Sequence, residues 1–454
     1  MTLSLLPITI VPIKTFQNSL KISHSLINYW KINTTKSLII AVGGNRVEVT
    51  VEGAAITKDE IHLDENLFYE FLIPLQERQL IASYSNKVNS LFLGPIIGLL
   101  TEISDSTEEE PYFPSIQDFC KEMDNQVSEI GGFFFVFQLQ DYTEGKISGY
   151  YIQNEIWQKS TVPLPDVIYN RIHSRKIEAS PIFQKFKEST IAHNIPLFND
   201  QFLSKEKVYE LLNSEEYMQP YLPETVSVTK DTLENMISKY DSLFIKPIHG
   251  SQGRNIIKIS KENNHFISEI STGKGLDKNS LFLDFDQLFK WIKPFLKKRS
   301  YLAQQGINLM KYKNKQLDFR ILCHRNYQNA WEATSSVARI SADEQFVSNI
   351  ARGGEVMRPL QILSQLSNRK TAIQQLALIK ELAIEVSSII SQNTDGIIGE
   401  LGIDIGVDEN GMLWIIEANV KPSKNLDVYD KKVRPSAKAL IEYMTFLSFS
   451  RRYE

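Results

Sequence analysis

Hydrophobic and polar positions follow three different patterns along the chain. In the first hundred residues, a polar cap, a short amphipathic helix and a strand occur twice, first from Ile22 and again from Leu63. The strands that this pattern predicts are 37–42, 46–51 and 80–84. The repetition predicts a pseudo-symmetric, β-rich domain over residues 1–100, with chance similarity of two amphipathic segments as the alternative.

The second segment has a helix followed by buried strands. A glycine-containing strand over 93–98 is expected to end the first domain, and the acidic stretch after it is expected to be a linker. A helix over 116–130 ends at two glycines, and the continuous apolar run 133–137 is typical of a strand covered on both faces. With a further strand at 167–171, residues 101–198 are predicted to form a small α/β domain.

In the third segment, residues 199–454, strand and helix signals alternate to the end, which predicts a third domain. Helices are predicted at 205–213, 230–240 and 371–391. The longest of them carries apolar residues at helical spacing, namely Ile373, Leu376, Ile379, Leu382 and Ile389. This stripe predicts packing against a core rather than a binding site.

The amino-acid composition excludes some classes of protein. The 454 residues are 42% hydrophobic and 23% charged with a net charge of −4, which is typical of a globular protein and lacks the basic surplus of a nucleic-acid binder. The two cysteines, Cys120 and Cys323, are expected to be buried thiols. The first residues lack the features of a secretory signal, and no apolar run reaches about 18 residues. We therefore expect a cytoplasmic protein that binds neither nucleic acid nor membrane.

The clearest chemical signal lies near the C-terminus. Two strand-like segments, 402–407 and 413–419, are separated by a turn that ends in a glycine. They are expected to form a hairpin in which Asp404 lies across from Glu417, with Asn419 on the same face as Glu417. Such oxygen ligands suit Mg²⁺, which completes its coordination with phosphate oxygens and water. We therefore predict a magnesium–nucleotide site, with a solvent-facing acidic hairpin as the alternative.

A second signal is a glycine loop between two strands. Lys246 ends one predicted strand, the loop from Gly250 to Gly253 follows, and another strand is expected at 256–259. Glycines allow close approach of the backbone, so amide groups and the Ser251 hydroxyl can hold phosphates while Lys246 supplies charge. The loop lacks the P-loop pattern and does not precede a helix. An ordinary glycine turn between strands is the alternative.

Polar groups on further strands also suit a nucleotide. A strand from Tyr301 ends in Gln304 and Gln305, which can offer an acceptor and backbone groups to the amino edge of adenine, although glutamines also end many surface strands.

Arginines complete the predicted site. Asp318 and Arg320 share one side of a strand, Arg339 lies on the next, and Asn349 and Arg352 belong to a polar loop that ends in glycines. Arginines within an acidic site suit a transferring phosphoryl group, but each can instead form a structural ion pair.

This succession of motifs resembles the ATP-grasp superfamily. The motifs are Lys246-Pro247 with its glycine loop, Gln304-Gln305, Asp318-x-Arg320, Asn349-x-x-Arg352-Gly-Gly, Asp404 and Glu417-x-Asn419. The Asp-x-Arg and Asn-x-x-Arg-Gly-Gly elements are similar to the ribosomal-protein glutamate ligase and glutathione synthetase branch. The chain resembles most closely the YheC/YheD family of endospore-coat-associated ATP-grasp proteins, from about Leu93 to Ser423. That family has similar Leu-Gly-Pro-Ile-Ile-Gly, Pro-Leu-Pro-Asp-Val-Ile-Tyr-Asn-Arg and Pro-Glu-Thr segments before its ATP-grasp part.

The resemblance implies a fold of mixed α+β and α/β type. It consists of an ATP-grasp domain over 199–454, whose two α+β lobes hold a nucleotide, preceded by a pre-ATP-grasp α/β domain and the N-terminal β-rich domain.

The resemblance also implies a role for each site residue. Lys205, Lys246, Ser251 and Gly253 would contact phosphates, and Gln304 would accept the adenine amine with the backbone of Gln305 and Ile307 beside it. Asp318 would bind the ribose, and Asp404, Glu417 and Asn419 would hold two Mg²⁺ ions, with Mn²⁺ as the alternative metal. Arg320, Arg339 and Asn349 would face the γ-phosphate and an acyl phosphate, and Arg352 would belong to the same catalytic set.

Two positions depart from the family pattern. Gly402 stands where some ligases of the superfamily have an arginine, and the loop with Asn349 and Arg352 is expected to supply that charge. Gln304 stands where many relatives have glutamate, which preserves an acceptor for an amine.

The activity implied is that of an ATP-dependent carboxylate–amine ligase acting through an acyl phosphate. Its partners would be small molecules or peptides with a carboxylate or an amine, and spore-coat proteins, with the spore coat as a second location. A small-molecule kinase of the same fold and a nucleotide-binding structural coat component are the alternatives.

Overall fold

The computed structural model describes residues 5–15, 18–104, 110–250, 254–263, 265–272, 275–342, 354–424 and 433–450. Within them the chain forms one closed barrel and three open sheets. The residues predicted to act at Ser251, Gly253, Asn349 and Arg352 lie outside the described part of the chain.

The N-terminal segment forms a closed seven-stranded barrel with the order β1-β5-β2-β4-β3-β7-β6. Its strands are β1 (Leu6–Ile13), β2 (Ser19–Ser23), β3 (Leu38–Val42), β4 (Asn45–Ala54), β5 (Glu60–Asp64), β6 (Arg78–Ser85) and β7 (Ser90–Gly94). Two short helices, α1 (His24–Trp30) and α2 (Glu65–Glu70), connect strands. Aliphatic side chains such as Ile8, Leu20 and Leu63 are fully buried in its core.

The predicted internal repeat stays a prediction, and the two segments share matching local geometry. Ser23 caps α1 and Asp64 caps α2, each accepting a backbone N–H of the first turn. The residues just after the repeated helix, Lys31 and Leu72, both adopt the left-handed conformation, with φ of 55° and 58°. Because that conformation is unfavourable for residues with a side chain, its recurrence at the same place is consistent with the predicted repeat.

A second sheet of seven strands follows. Its strands are β8 (Ile96–Leu100), β9 (Phe133–Phe137), β10 (Tyr142–Thr143), β11 (Lys146–Gln153), β12 (Ile156–Val162), β13 (Val167–Asn170) and β14 (Leu197–Phe198). The helices of this part are α3 (Gln117–Glu129), α4 (Arg175–Glu178) and α5 (Pro181–Ala192). Strand β8 lies between β9 and β13 and is parallel to both. All five residues of β9 are buried, as its continuous apolar sequence predicts.

The segment predicted as one strand over 93–98 is in fact two strands in two sheets. Strand β7 ends at Gly94 in the barrel, whereas β8 begins at Ile96 in the second sheet. Pro95 lies between them, and a proline has no N–H to donate to a strand ladder. The change of sheet therefore falls a few residues before the predicted boundary at residue 100, and the domain divisions at 100 and 198 stay predictions.

Two further sheets make up the third segment. The first has the antiparallel order β15-β20-β16-β17-β18-β19. Its strands are β15 (Thr225–Ser227), β16 (Ser242–Pro247), β17 (Ile256–Glu262), β18 (His265–Thr272), β19 (Gly275–Phe282) and β20 (Tyr301–Gln305). Helices α7 (Lys230–Lys239) and α8 (Phe285–Leu296) pack against this sheet, whereas α6 (Lys205–Asn213) shares the apolar core of the next sheet.

The second of these sheets has the order β24-β23-β22-β25-β26, with β21 paired to β22. Its strands are β21 (Lys311–Tyr312), β22 (Lys315–Arg325), β23 (Trp331–Ile340), β24 (Glu355–Met357), β25 (Glu400–Val407) and β26 (Leu413–Asn419). Its helices are α9 (Pro359–Leu366), α10 (Arg369–Gln392) and α11 (Pro435–Ser450). The two sheets with their helices are the two predicted α+β lobes.

Most of the apolar stripe predicted for helix α10 is confirmed. Ile379, Leu382 and Ile389 are buried against the second lobe. Ile373, however, is 50% exposed, whereas its neighbour Ala372 is fully buried. The prediction for Ile373 was wrong because the first turn of the helix presents Ala372 to the core.

Helix α11 joins the third segment to the second sheet. Its residues Leu440, Tyr443 and Met444 share one apolar cluster with Phe119 and Met123 of α3. The last helix therefore completes a core that begins more than three hundred residues earlier in the chain.

Two predictions from composition can be compared with the structure. Cys120 and Cys323 are buried free thiols, as expected. In the described part of the chain, no helix combines the length and the apolar character that a bilayer span requires.

Candidate functional site

A pocket lies between the two sheets of the third segment. Strands β16 and β20 form one wall with Lys246, Leu302 and Gln304, and β26 forms the other from Ile415 to Ala418. Helix α6 closes one side. The empty space of the pocket is about 520 Å³, which includes open solvent. Most of its walls are apolar, including Val208, Leu212, Leu222, Leu302, Ile415 and Ile416.

Strand pairing explains why polar side chains meet in this pocket. Gln304 of β20 is paired in register with Thr225 of β15 on one side and with Phe244 of β16 on the other. Residues that face each other across a ladder lie on the same side of the sheet, and so does every second residue along a strand. Gln304, Thr225 and Lys246 therefore face the pocket, while Ile245 and Ala303 pack into the core behind it.

These polar groups form a chain of hydrogen bonds. Lys246 Nζ donates to Gln304 Oε1 (2.5 Å), and Gln304 Nε2 donates to Thr225 Oγ1 (3.1 Å). Thr225 Oγ1 in turn donates to the backbone carbonyl of Pro223 (2.8 Å). Burial lowers the pKa of Lys246 to about 8, Glu417 opposes this effect, and Lys205 adds to it. The pocket thus combines an oriented amide with a lysine whose pKa is lowered by burial.

A buried network of four charged side chains lies on strands β22, β23 and β25 of the second lobe. Arg339 makes two bonds to Asp318, from Nε to Oδ1 (2.6 Å) and from Nη2 to Oδ2 (2.7 Å). Its Nη2 also lies 3.0 Å from Asp404 Oδ2. Arg320 makes two bonds to Asp404, one of them from Nη2 to Oδ2 (2.8 Å). Two arginines and two aspartates are therefore held rigidly together, with little exposure to solvent.

The order of strands dictates this network. Asp318 is paired in register with Arg339, Arg320 with Asp404, and Asp404 with Glu417. The predicted pairing of Asp404 with Glu417 is confirmed.

At Asp404 and Arg339, neighbouring opposite charges together outweigh the effect of burial on the pKa. Burial alone would raise the pKa of Asp404, but Arg320 and Arg339 outweigh burial and hold that pKa below its ordinary value. Burial would lower the pKa of Arg339, but Asp318 and Asp404 raise it above its ordinary value. Asp404 and Arg339 are therefore charged at neutral pH.

The predicted metal ligands are close to basic groups. Asp404 is paired to two arginines, and Glu417 Oε1 is 2.5 Å from Lys205 Nζ. Asn419 ends β26 on the face of Glu417 and is half-buried. In the described residues, no group of three or more His, Cys, Asp or Glu side chains is placed to hold a metal ion. The predicted set contains only two acids, so its role in binding Mg²⁺ stays a prediction.

The donor set nevertheless fits a magnesium–phosphate ligand. Two carboxylates and an amide on adjacent strands supply hard oxygen donors but leave most of an octahedron open. Among the described residues of the predicted site, there are four basic groups, Lys205, Lys246, Arg320 and Arg339, and three acidic ones, Asp318, Asp404 and Glu417. A site with this positive surplus is suited to an anion that brings its own cation.

Close packing explains why residue 402 is a glycine. A Cβ at this position would lie 2.7 Å from Cβ of Pro422, so any side chain would clash. The same Cβ would lie 3.5 Å from Cδ of Arg320. Arg320 lies beside Gly402 and bonds to Asp404. The prediction that a later loop supplies the charge of an arginine at this position concerns residues outside the described part.

Several described residues of the predicted site do not line the pocket, namely Gln305, Ile307 and Asp318 of the adenine and ribose contacts, and Arg320, Arg339, Asp404 and Asn419. The side chain of Gln305 accepts the backbone N–H of Glu224 (3.2 Å), and its own backbone N–H donates to the Glu224 carbonyl (2.8 Å). Of the two backbone groups of Gln305, only the carbonyl can then meet a base. Ile307 is half-buried, and Asp318 is held by Arg339. Their roles toward adenine and ribose stay predictions.

A family model described as "YheC/D like ATP-grasp" matches residues 194–447, more than half of the chain. The chain belongs to this ATP-grasp family. It is 28% identical over 371 residues to the endospore coat-associated protein YheD of Bacillus subtilis (strain 168), covering 80% of each chain. It is 24% identical over 326 residues to YheC of the same organism, covering 68% of this chain and 85% of that protein.

A comparison with solved structures adds a more distant likeness. The VanG D-Ala:D-Ser ligase from Enterococcus faecalis is 11% identical, with a TM-score of 0.46, and the match covers 78% of this chain and 98% of that one. The fold predicted for this YheC/D-like ATP-grasp chain, with two α+β lobes after a β-rich segment, is confirmed by the family match and the sheet topology.

The sequence reasoning missed a buried cluster that underlies the site of this YheC/D-like ATP-grasp protein. Glu400, at the start of β25, is fully buried. It accepts hydrogen bonds from Tyr169 OH (2.5 Å), His324 Nε2 (2.9 Å) and Lys424, and it lies 3.6 Å from Arg171. Burial would raise the pKa of Glu400, but Lys424, His324 and Arg171 hold it well below its ordinary value.

This cluster connects the second sheet to the strands that carry the predicted metal ligands. Tyr169 belongs to β13, and Arg171 follows it directly. Glu400 precedes Asp404 on β25, and Lys424 follows β26. The residues are scattered over about 250 positions. Tyr169 and Arg171 end the Pro-Leu-Pro-Asp-Val-Ile-Tyr-Asn-Arg segment, but that segment does not point to Glu400 as their partner.

Proposed function

We propose that this protein is an ATP-dependent carboxylate–amine ligase that acts through an acyl phosphate. The observation that carries the proposal is the adjacency of two features. An apolar pocket with an oriented amide and two lysines opens beside the buried arginine–aspartate network. The first feature suits a purine nucleotide, and the second suits the charge that develops during phosphoryl transfer.

Each group of residues has a proposed task. Leu222, Leu302 and Ile416 would enclose the adenine, with Gln304 Oε1 accepting its amine. Lys205 and Lys246 would neutralise the phosphates. Asp404, Glu417 and Asn419 would hold Mg²⁺, which when bound screens the charge of the triphosphate.

In the proposed reaction, a substrate carboxylate oxygen forms a bond to the γ-phosphorus while the bond to the ADP oxygen breaks. An amine nitrogen then bonds to the acyl carbon, phosphate leaves, and the amine proton passes to water. Arg320 and Arg339 would face the transferred phosphoryl group. Because Asp318 and Asp404 fix both guanidinium groups in advance, little reorganisation would be needed when charge develops.

A co-substrate requirement tests this proposal. Purified protein with ATP, Mg²⁺ and pools of carboxylates and amines is expected to release ADP over many turnovers only when both pools are present. Multiple-turnover ADP release with carboxylates alone, at a rate that amines do not change, would contradict the ligase assignment. ADP release with an alcohol pool and a stable phosphorylated product would instead show a kinase, and nucleotide binding without any turnover would favour a structural role.

We further propose a link to sporulation or the spore coat, because two relatives are named endospore coat-associated proteins. The carboxylate and amine would belong to small molecules or peptides, and coat proteins are proposed as further partners. The protein would work in the cytoplasm or on the assembling coat.

Nucleotide affinity is expected to fall as pH rises through 8. Phosphates bind the charged form of Lys246, whose pKa is lowered to about 8, so the charge is present at pH 7 and lost above pH 8. Affinity for ATP should decline several-fold between pH 7 and pH 9, approaching about tenfold per pH unit above pH 8. Titration calorimetry in buffers of constant ionic strength measures this. Lys246→Arg should keep affinity nearly constant over the same range, and an equal decline in that variant would contradict the assignment.

A further inference from the structure

The amide of Gln304 is held in one orientation by two neighbours. Its Oε1 accepts from Lys246 Nζ (2.5 Å), and its Nε2 donates to Thr225 Oγ1 (3.1 Å). The Thr225 hydroxyl has a single hydrogen, which it donates to the carbonyl of Pro223 (2.8 Å). Its oxygen is therefore left as an acceptor for the amide.

Rotating the amide by half a turn would break both contacts. Nε2 would then face the ammonium of Lys246, which has only donors, and Oε1 would face the Thr225 oxygen, whose hydrogen is already used. Thr225 is buried, so water does not easily replace a lost partner there. The observed orientation is therefore fixed from both ends.

This orientation matters because an amide, unlike a carboxylate, has two different ends. A glutamate at position 304 would present an acceptor whichever way it turned. Gln304 presents an acceptor to the pocket only while the amide stays in the observed orientation. If the amide turned, it would present a donor. Adenine offers an amine donor at the relevant edge, whereas guanine offers a carbonyl acceptor there.

We propose that Thr225 is a positioning residue that makes this site select adenine over guanine nucleotides. It acts through Gln304, by holding the amide so that Oε1 faces the base. The inference rests on the proposed nucleotide site and adds the residue that determines its base specificity. If bound phosphates engage Lys246, the hydrogen bond from Gln304 Nε2 to Thr225 would keep the amide in place.

Three variants test the proposal by titration calorimetry with Mg-ATP and Mg-GTP, without acceptor substrates. The wild-type protein is expected to bind ATP at least about a hundredfold more tightly than GTP, as expected for a buried polar mismatch. Thr225→Val keeps the shape of the side chain but removes its oxygen, and should lower the ATP-to-GTP ratio about tenfold. Thr225→Ser keeps the hydroxyl and should restore the ratio.

The decisive measurement repeats Thr225→Val in the Gln304→Glu background. A carboxylate needs no orientation, so the ratio should change there by less than about twofold. An unchanged ratio in Thr225→Val, or an equal fall in both backgrounds, overturns the role of Thr225 while leaving ATP binding intact. A wild-type protein that binds neither nucleotide overturns the proposed function as well. Thermal unfolding of each variant confirms that the compared proteins are folded.

Discussion

Asp404→Asn is expected to lower the free energy of unfolding by about 3–5 kcal/mol, because removing one partner leaves buried charge uncompensated. The carboxylate of Asp404 is bonded to Arg320 and lies 3.0 Å from Arg339, and all three groups are buried. Asparagine keeps the size of the side chain but removes its negative charge. Urea denaturation, followed by tryptophan fluorescence, measures the loss.

The same substitution is expected to abolish the stabilisation that Mg-ATP gives to the wild-type protein. A thermal shift that depends on both magnesium and ATP should disappear, because Asp404 is one of the two carboxylates proposed to hold the metal. Glu409→Gln is the matched control, since Glu409 lies exposed in the turn of the same hairpin. It should change stability by less than about 0.5 kcal/mol and leave the thermal shift unaltered. An intact magnesium-dependent shift in Asp404→Asn would refute the metal assignment.

Glu400→Gln is the second substitution with a large expected effect, again about 3–5 kcal/mol of lost unfolding free energy. Glu400 is fully buried, and its single negative charge faces Lys424 and Arg171. Glutamine can still accept the bond from Tyr169 but cannot balance the two cations. A substitution of Lys424 to Met in the same background should recover part of the loss, since it removes one unpaired cation.

The effect of Glu400→Gln should also depend on pH. Because the pKa of Glu400 is held well below its ordinary value, its contribution is present above about pH 4.3 and is lost as pH falls through the lowered pKa. The difference between wild type and variant should therefore be full at pH 7 and shrink below about pH 4. Glu332→Gln, at an exposed position of the same lobe, should show neither effect. A stability difference that is equal at pH 7 and pH 3.5 would show that charge is not the cause.

Some residues of the candidate site could be predicted from the local sequence, and others could not. Lys246, Gln304 and Glu417 were predicted as site residues, and the structure brings them to one pocket. They could be predicted because each lies on a strand in which the alternation of polar and apolar residues is visible in the sequence. Thr225 was missed, since its importance depends on pairing with Gln304, nearly eighty positions away. Sequence alone does not show which strands become neighbours.

By itself, the sequence determined the elements and the chemical character of the site. Strand β26 and helix α6 have their predicted bounds, and the hairpin places Asp404 across from Glu417. These features depend on side-chain periodicity and short turns, which are properties of neighbouring residues.

Only the tertiary structure decided how the charges are compensated. It pairs Arg320 with Asp404, makes Gly402 a packing requirement, and places Glu400 among cations from another sheet. Such contacts depend on strand order and on the low dielectric of the interior, where a charge must find a partner from anywhere in the chain. Nothing in the local sequence specifies that partner.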